Sequence, residues 1–107
     1  MANQEHLRLL EQGVEPWNQW RSDYSEVVPD LREADLSGAD LAGAFLMDAN
    51  LVIADLSMAN LDGVALCGAN LNYANLSGAN LRAANLFETK FGAAVLIGAD
   101  LSTANLS

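Results

Sequence analysis

Few residues in this chain have the types and spacing that chemistry needs. Asp35 and Asp55 are the best carboxylate pair. If a fold stacked residues twenty positions apart, their carboxyls would stand about 5 Å from one another, the separation used by retaining glycosidases. His6 is the sole histidine, which rules out a two-histidine metal site and, with it in a leader segment and read as exposed, a histidine-based triad. Cys67 is the sole cysteine: it closes no intrachain disulfide, and nothing basic is expected beside it to make it a nucleophile. Asn75-Leu76-Ser77 and Asn105-Leu106-Ser107 match glycosylation sequons. There is no phosphate loop, no CxxC pair and no glycine-aspartate calcium repeat. The expectation is therefore no catalysis, no cofactor and no metal.

The bounds agree. The chain has 107 residues, enough for one domain, and 14 Asp and Glu against 5 Lys and Arg give a formal charge of −9, which excludes a basic nucleic-acid binder. No apolar run approaches the ~20 residues of a membrane span. Met1 is followed by Ala-Asn-Gln-Glu-His, with neither a basic start nor an apolar stretch, so no secretory signal is read. A soluble protein of the reducing cytoplasm, with a protein partner and no membrane, is expected.

What must position these residues is a repeat. From Leu31 an apolar residue recurs at every fifth position: Leu31, Leu36, Leu41, Leu46, Leu51, Leu56, Leu61, Leu66, Leu71, Leu76, Leu81, Leu86, Phe91, Leu96, Leu101 and Leu106. Two places earlier stands Ala in thirteen of the sixteen units, and one place earlier Asn or Asp in twelve. A period of five rejects the ordinary elements. On an α-helix it rotates successive leucines by roughly 140°, leaving no stripe. On a flat strand it throws them onto opposite faces. A chain that bends about a quarter turn after each unit points every leucine at one axis, so twenty residues close a coil. Residues n and n+20 then stack at about 4.8 Å, and about four coils rise roughly 19 Å. Ala leaves room at the corners, and Gly38, Gly43, Gly63, Gly68, Gly78, Gly92 and Gly98 suit the turns.

Units such as Ala34-Asp35-Leu36-Ser37-Gly38 and Ala79-Asn80-Leu81-Arg82-Ala83 resemble the pentapeptide-repeat family, with its tandem A-(D/N)-L-X-X units, over residues 29–107. The resemblance implies an all-β fold, a right-handed quadrilateral β-helix. Gly13 to Arg21, followed by Pro29-Asp30-Leu31, resembles the helical leader of some bacterial and cyanobacterial members. Departures from the pattern at Phe45, Val64-Ala65, Thr89-Lys90-Phe91 and Val95 predict local distortion of the coil near residues 88–95.

Residues 1–28 are read as a cap of two short helices. Leu7, Leu10 and Val14 share a face, Gly13 stops the first helix and Pro16 suits the first turn of the second. Trp17, Trp20 and Tyr24 fall at i, i+3 and i+7, a face suited to sealing the first leucine layer, because the ends of a solenoid expose apolar surface and unpaired backbone. The other end, after Leu106, is expected to be an open edge that frays, is blocked by its own last residues, or pairs with a second copy, as C-terminal coils do in dimers of some gyrase-interacting family members.

Function would then lie on the outward columns. The faces centred on Leu36 and on Leu41 carry Ser37, Ser57 and Ser77, and Asp40, Asn60, Asn80, Asp100, Asp62, Arg82 and Ser102, all solvated; Asp35 and Asp55 stand there on a flat wall without a cleft. The face centred on Leu46, Leu66 and Leu86 differs, with Phe45, Met47, Ala65, Cys67 and Phe87 outward and Val52, Ile53 and Tyr73 at the following corner. An apolar stripe of that size suits a partner or self-association surface, cover by the leader folding down the side, or inconsequential drift. The expected function is a non-catalytic interaction or scaffold module. The alternative, implied by the resemblance, is a DNA-mimicking modulator of DNA gyrase.

Overall fold

A computed structural model describes residues 1–107. Two helices open the chain, α1 (Gln4–Glu11) and α2 (Val14–Asp23). The Asn3 side chain caps α1 by accepting the N–H groups of Glu5 and His6, which would otherwise have no helical partner. Gly13, at φ 121°, makes the break between the helices, and Pro16 lies in the first turn of α2, where its missing N–H costs no hydrogen bond.

From Asp30 onward the chain coils. Parallel bridges join each residue of one column to the residue twenty places on, from Asp30↔Asn50 to Asn85↔Asn105. Four columns result: wall 1 (Asp30, Asn50, Asn70, Lys90), wall 2 (Asp35, Asp55, Asn75, Val95), wall 3 (Asp40, Asn60, Asn80, Asp100) and wall 4 (Phe45, Ala65, Asn85, Asn105). Every bridge is isolated, so the walls are ladders of single pairs and contain no extended strand. The reason is the turn that closes each unit: the Ala34 N–H donates to the Leu31 carbonyl at 3.1 Å, and the equivalent bond recurs unit after unit. With a turn every five residues, no stretch between corners is long enough for a conventional strand.

Those turns set a backbone requirement. The second residue after each inward apolar residue lies at positive φ, as the third position of a type II turn demands. Glycine meets it without strain at Gly38, but Ile53 and Thr103 hold φ of 64° and 58° with β-branched side chains. Gly92 is not one of these positions, contrary to expectation: Ala93 takes the left-handed conformation there. Replacing Ile53 with Gly is expected to raise stability by about 1 kcal/mol, since the left-handed region costs an L-residue roughly 1–2 kcal/mol and glycine's larger unfolded-state entropy offsets part of the gain. Thermal denaturation followed by circular dichroism checks this.

The core is the column of leucine layers. Leu31 through Leu86 are buried at every fifth position, with the alanines packed between them. The last layer departs from the expected core: Phe91, Leu96 and Leu101 are half-buried and Leu106 is 65% exposed, since leucines pack against them from one side alone. The expected distortion near residues 88–95 is absent. The bridges Asn70↔Lys90 and Asn75↔Val95 keep register, and the Thr89 hydroxyl, in place of an inward Ala, donates to the Leu66 carbonyl at 2.7 Å.

Candidate functional site

The polar column next to each leucine turns out to be backbone chemistry. Every Asn or Asp in it accepts, through Oδ1, the N–H of the residue two places on, an Asx turn that satisfies a donor the ladder leaves free. Where a serine occupies that second place, its hydroxyl donates to the same oxygen: Ser37 to Asp35 at 2.7 Å, Ser57 to Asp55 at 2.6 Å and Ser77 to Asn75 at 2.6 Å. Asp35 and Asp55 therefore spend their inner oxygens holding turns. The Ser37 hydroxyl keeps the Asp35 carboxyl below its ordinary value, the Ser102 hydroxyl does the same for Asp100, and the Arg32 guanidinium at 2.9 Å lowers Asp30. A carboxyl lowered in this way, as in Asp30, Asp35 and Asp100, suits a structural acceptor better than a general acid.

Wall 4 lacks this device in its upper half. Phe45 and Ala65 replace the Asx residue, so no side-chain oxygen caps the N–H of Met47 or of Cys67. Phe87 is 46% exposed and Phe45 is exposed beside the first coil, while Met47, Ala65 and Cys67 are half-buried between them. At the next corner Ile53 and Tyr73 are 53% and 66% exposed, both on positive-φ residues, with Val52 half-buried. The residues read from the sequence as an apolar stripe thus lie on one wall and its following corner. The leader does not descend over them.

The leader sits on top. Trp17 is fully buried, and its Nε1–H donates to the Phe45 carbonyl at 2.8 Å. Asn18 pairs like a strand, accepting the Phe45 N–H at 2.7 Å and donating to the Gly43 carbonyl at 3.0 Å. Buried Arg21 donates to the carbonyls of Met47 and Val27, and burial pulls its pKa below the usual guanidinium value, with Asp48 opposing. Over wall 1, the Asn3 N–H donates to the Asp30 carbonyl at 2.9 Å and His6 Nδ1 accepts the Asp30 N–H at 3.0 Å. His6 is thus half-buried, packed 5.1 Å from the Trp20 ring, and not the exposed residue expected. Tyr24 also departs from expectation: α2 ends at Asp23, the backbone turns out of the helix, and Tyr24 is 51% exposed at the outer end of the aromatic row. Asn18, Arg21 and His6 carry no signal in the sequence because each acts on a residue 24 to 27 places away with no periodic signature.

Among the chain's His, Cys, Asp and Glu there is no group of three placed to hold a metal ion. No helix is long and apolar enough to cross a membrane.

The Pentapeptide repeats family matches in eight copies, over residues 30–66, 49–86 and 84–107. No curated protein matches the chain significantly. Among solved structures, a pentapeptide repeat protein from the Arabidopsis thaliana thylakoid lumen is 36% identical with a TM-score of 0.70, over 72% of this chain and 53% of its own. A pentapeptide repeat protein from Nostoc PCC 7120 is 31% identical over 76% of this chain and 71% of its own, with a TM-score of 0.43. HetL, a pentapeptide repeat protein from Nostoc sp. PCC 7120 involved in heterocyst differentiation regulation, is 36% identical over 70% of this chain and 37% of its own, with a TM-score of 0.40. The chain spans about half the length of the Arabidopsis protein. With the family matched through the whole coil and the coil itself visible in the n to n+20 bridges, the chain belongs to the pentapeptide repeat family and is a right-handed β-helix solenoid.

Proposed function

We propose that the chain is a non-catalytic docking module, with residues 1–28 as its helical cap and residues 29–107 as a four-sided rod that presents wall 4 to a partner protein in the cytoplasm. One observation carries the reading: in a protein of net charge −9, the upper column of this wall holds Phe45 and Ala65 where each of the other three walls holds Asp or Asn, and the residues two places on, Met47 and Cys67, are apolar as well. Apolar outward positions let a second macromolecule approach with few carboxylates to desolvate, only those of Asp48 and Glu88 standing at the closing corner, and the exposed rings of Phe45 and Phe87 supply contact area. Self-association through wall 4 or through the last coil is the homotypic form of the same reading. The test is the double variant Met47→Ser/Phe87→Ser. Its circular dichroism is expected to match the parent, because neither side chain belongs to the leucine column. Binding of a partner recovered from the native host, or dimer mass by sedimentation at two concentrations, is expected to weaken about tenfold or more. Association of unchanged strength rejects wall 4.

A second reading, DNA mimicry toward gyrase, is favoured by the gathering of Asp35, Asp40, Asp55, Asp62 and Asp100 on walls 2 and 3 and their turns against one base, Arg82. Magnitude opposes it. A duplex about 19 Å long carries roughly 11 phosphates, whereas residues 29–107 hold nine acidic and three basic residues, a net −6. Salt-sensitive inhibition of supercoiling would favour this reading over the docking module.

A further inference from the structure

The cap is lopsided. Between coils, wall 2 is joined by three kinds of bond: Asp55 N–H to the Ala34 carbonyl, Leu36 N–H to the Asp55 carbonyl and Gly38 N–H to the Ser57 carbonyl. Wall 3 repeats them through Asn60, Leu41 and Gly43. At the top of the first coil five of the six equivalent upward groups on walls 1 and 4 are taken, by Asn3, His6, Trp17, Asn18 and Arg21, the Arg32 carbonyl being the exception. On walls 2 and 3 they are not. The N–H and C=O of Asp35 and of Asp40, and the carbonyls of Ser37 and Ala42, have no partner in the chain. Burial shows the same asymmetry independently. Leu31 and Leu46 beneath the cap are fully buried, whereas Ala34, Leu36 and Leu41 keep slight exposure and Ala39 is half-buried.

A groove of about 270 Å³ opens beside this edge, lined by Ala2, Gln4 and Leu7 of the leader and by Arg32, Ala34 and Asp35 of the coil. Along walls 2 and 3 the charges of the first coil are Asp35 and Asp40, with Glu33 at the entering corner held by the Met1 amino group at 3.5 Å.

We propose that this edge is a β-augmentation site for an extended basic peptide segment of another protein. Each wall offers one free N–H and two free carbonyls in register, so the complement they require is main chain, supplying one carbonyl and two N–H groups per wall, with the two walls five residues apart. About ten residues, bending once at the corner between the walls, span both. The groove accepts one small apolar side chain, and basic side chains face Asp35 and Asp40. A second copy of this chain is a poor occupant, because at net −9 it carries the wrong charge. The site is separate from wall 4, so either proposal can fail alone.

The test is a ¹⁵N NMR titration of the full chain with an acetylated, amidated decapeptide of alternating lysine and valine. Its fully N-methylated counterpart, and the same peptide with glutamate for lysine, serve as comparisons. The expected result is shifts centred on the Asp35 and Asp40 amides, with hydrogen exchange there slowed at least about tenfold, and no such effect from either comparison peptide. Equal shifts with the methylated or the glutamate peptide, shifts confined to other walls, or no shifts at about 1 mM peptide overturn it.

Discussion

Replacing Trp17 with alanine is expected to destabilise the protein by about 3–5 kcal/mol, the cost of deleting a fully buried large aromatic side chain. That is a large fraction of the ~5–15 kcal/mol that holds a typical domain together. Two losses combine. The indole packs with Leu10 into the layer above the first leucines, so its removal leaves a cavity at the end of the core. Its Nε1–H also satisfies the Phe45 carbonyl, a group at the open edge of a ladder with no other partner in the chain. Trp17→Phe separates the two: it keeps most of the packing and orphans the carbonyl, and about 1–3 kcal/mol is expected from the lost acceptor partner. Urea denaturation followed by far-ultraviolet circular dichroism measures both variants. A Trp17→Ala protein as stable as the parent would show that the leader is an appendage and not the lid of the solenoid.

The second large effect is a contrast between two leucines at equivalent places in the repeat. Leu66→Ala is expected to cost about 2–5 kcal/mol, because Leu66 is fully enclosed by layers above and below. Leu106→Ala is expected to cost within about 0.5 kcal/mol, since that side chain is mostly in solvent. Sequence alone assigns the two positions the same role. Their difference comes from stacking: a leucine gains its burial from the coils on either side, so its worth depends on where in the pile it stands. Equal costs for both substitutions, read from the same denaturation curves, would contradict that account.

How far the sequence reached follows from the same physics. The five-residue spacing of the leucines admitted one kind of backbone path, so the coil and the n to n+20 stacking were legible before any coordinates. The Asn and Asp column was legible as a pattern, while its work as a set of turn caps was not drawn from it. The clue was available, since an Asx side chain reaching an N–H two residues on is a local motif, and serine in the same second place strengthens it. Positive φ at Ile53, Met58 and Tyr73 was hidden because the repeat imposes the turn on whatever residue arrives there. A missing cap is replaced in one place from the coil above: with Lys90 in the column, the Asn72 Oδ1 reaches down and accepts the Gly92 N–H at 2.7 Å. The leader was the least legible part. Helical spacing placed Trp17, Trp20 and Tyr24 on one face, but spacing says nothing of where a helix ends, and α2 ends one residue too soon for Tyr24 to join the seal.

Wall 4 inherits its interest from these caps. Where an Asx residue occupies the column, its side chain folds back onto the turn and presents polar atoms outward; where Phe45 and Ala65 occupy it, the wall loses both the cap and the polarity. Cys67 lies half-buried between Met47 and Phe87 in the sequence of outward positions, so this wall also holds the chain's one thiol.

All of these assignments, from the docking wall to the uncapped edge, depend on residues twenty apart lying directly above one another. Methyl NOE spectroscopy on leucine-labelled protein measures that arrangement. The account predicts strong methyl contacts from Leu56 to both Leu36 and Leu76, its equivalents in the coils on either side. Absence of both contacts, with Leu56 methyls instead touching leucines of some other spacing, would contradict it.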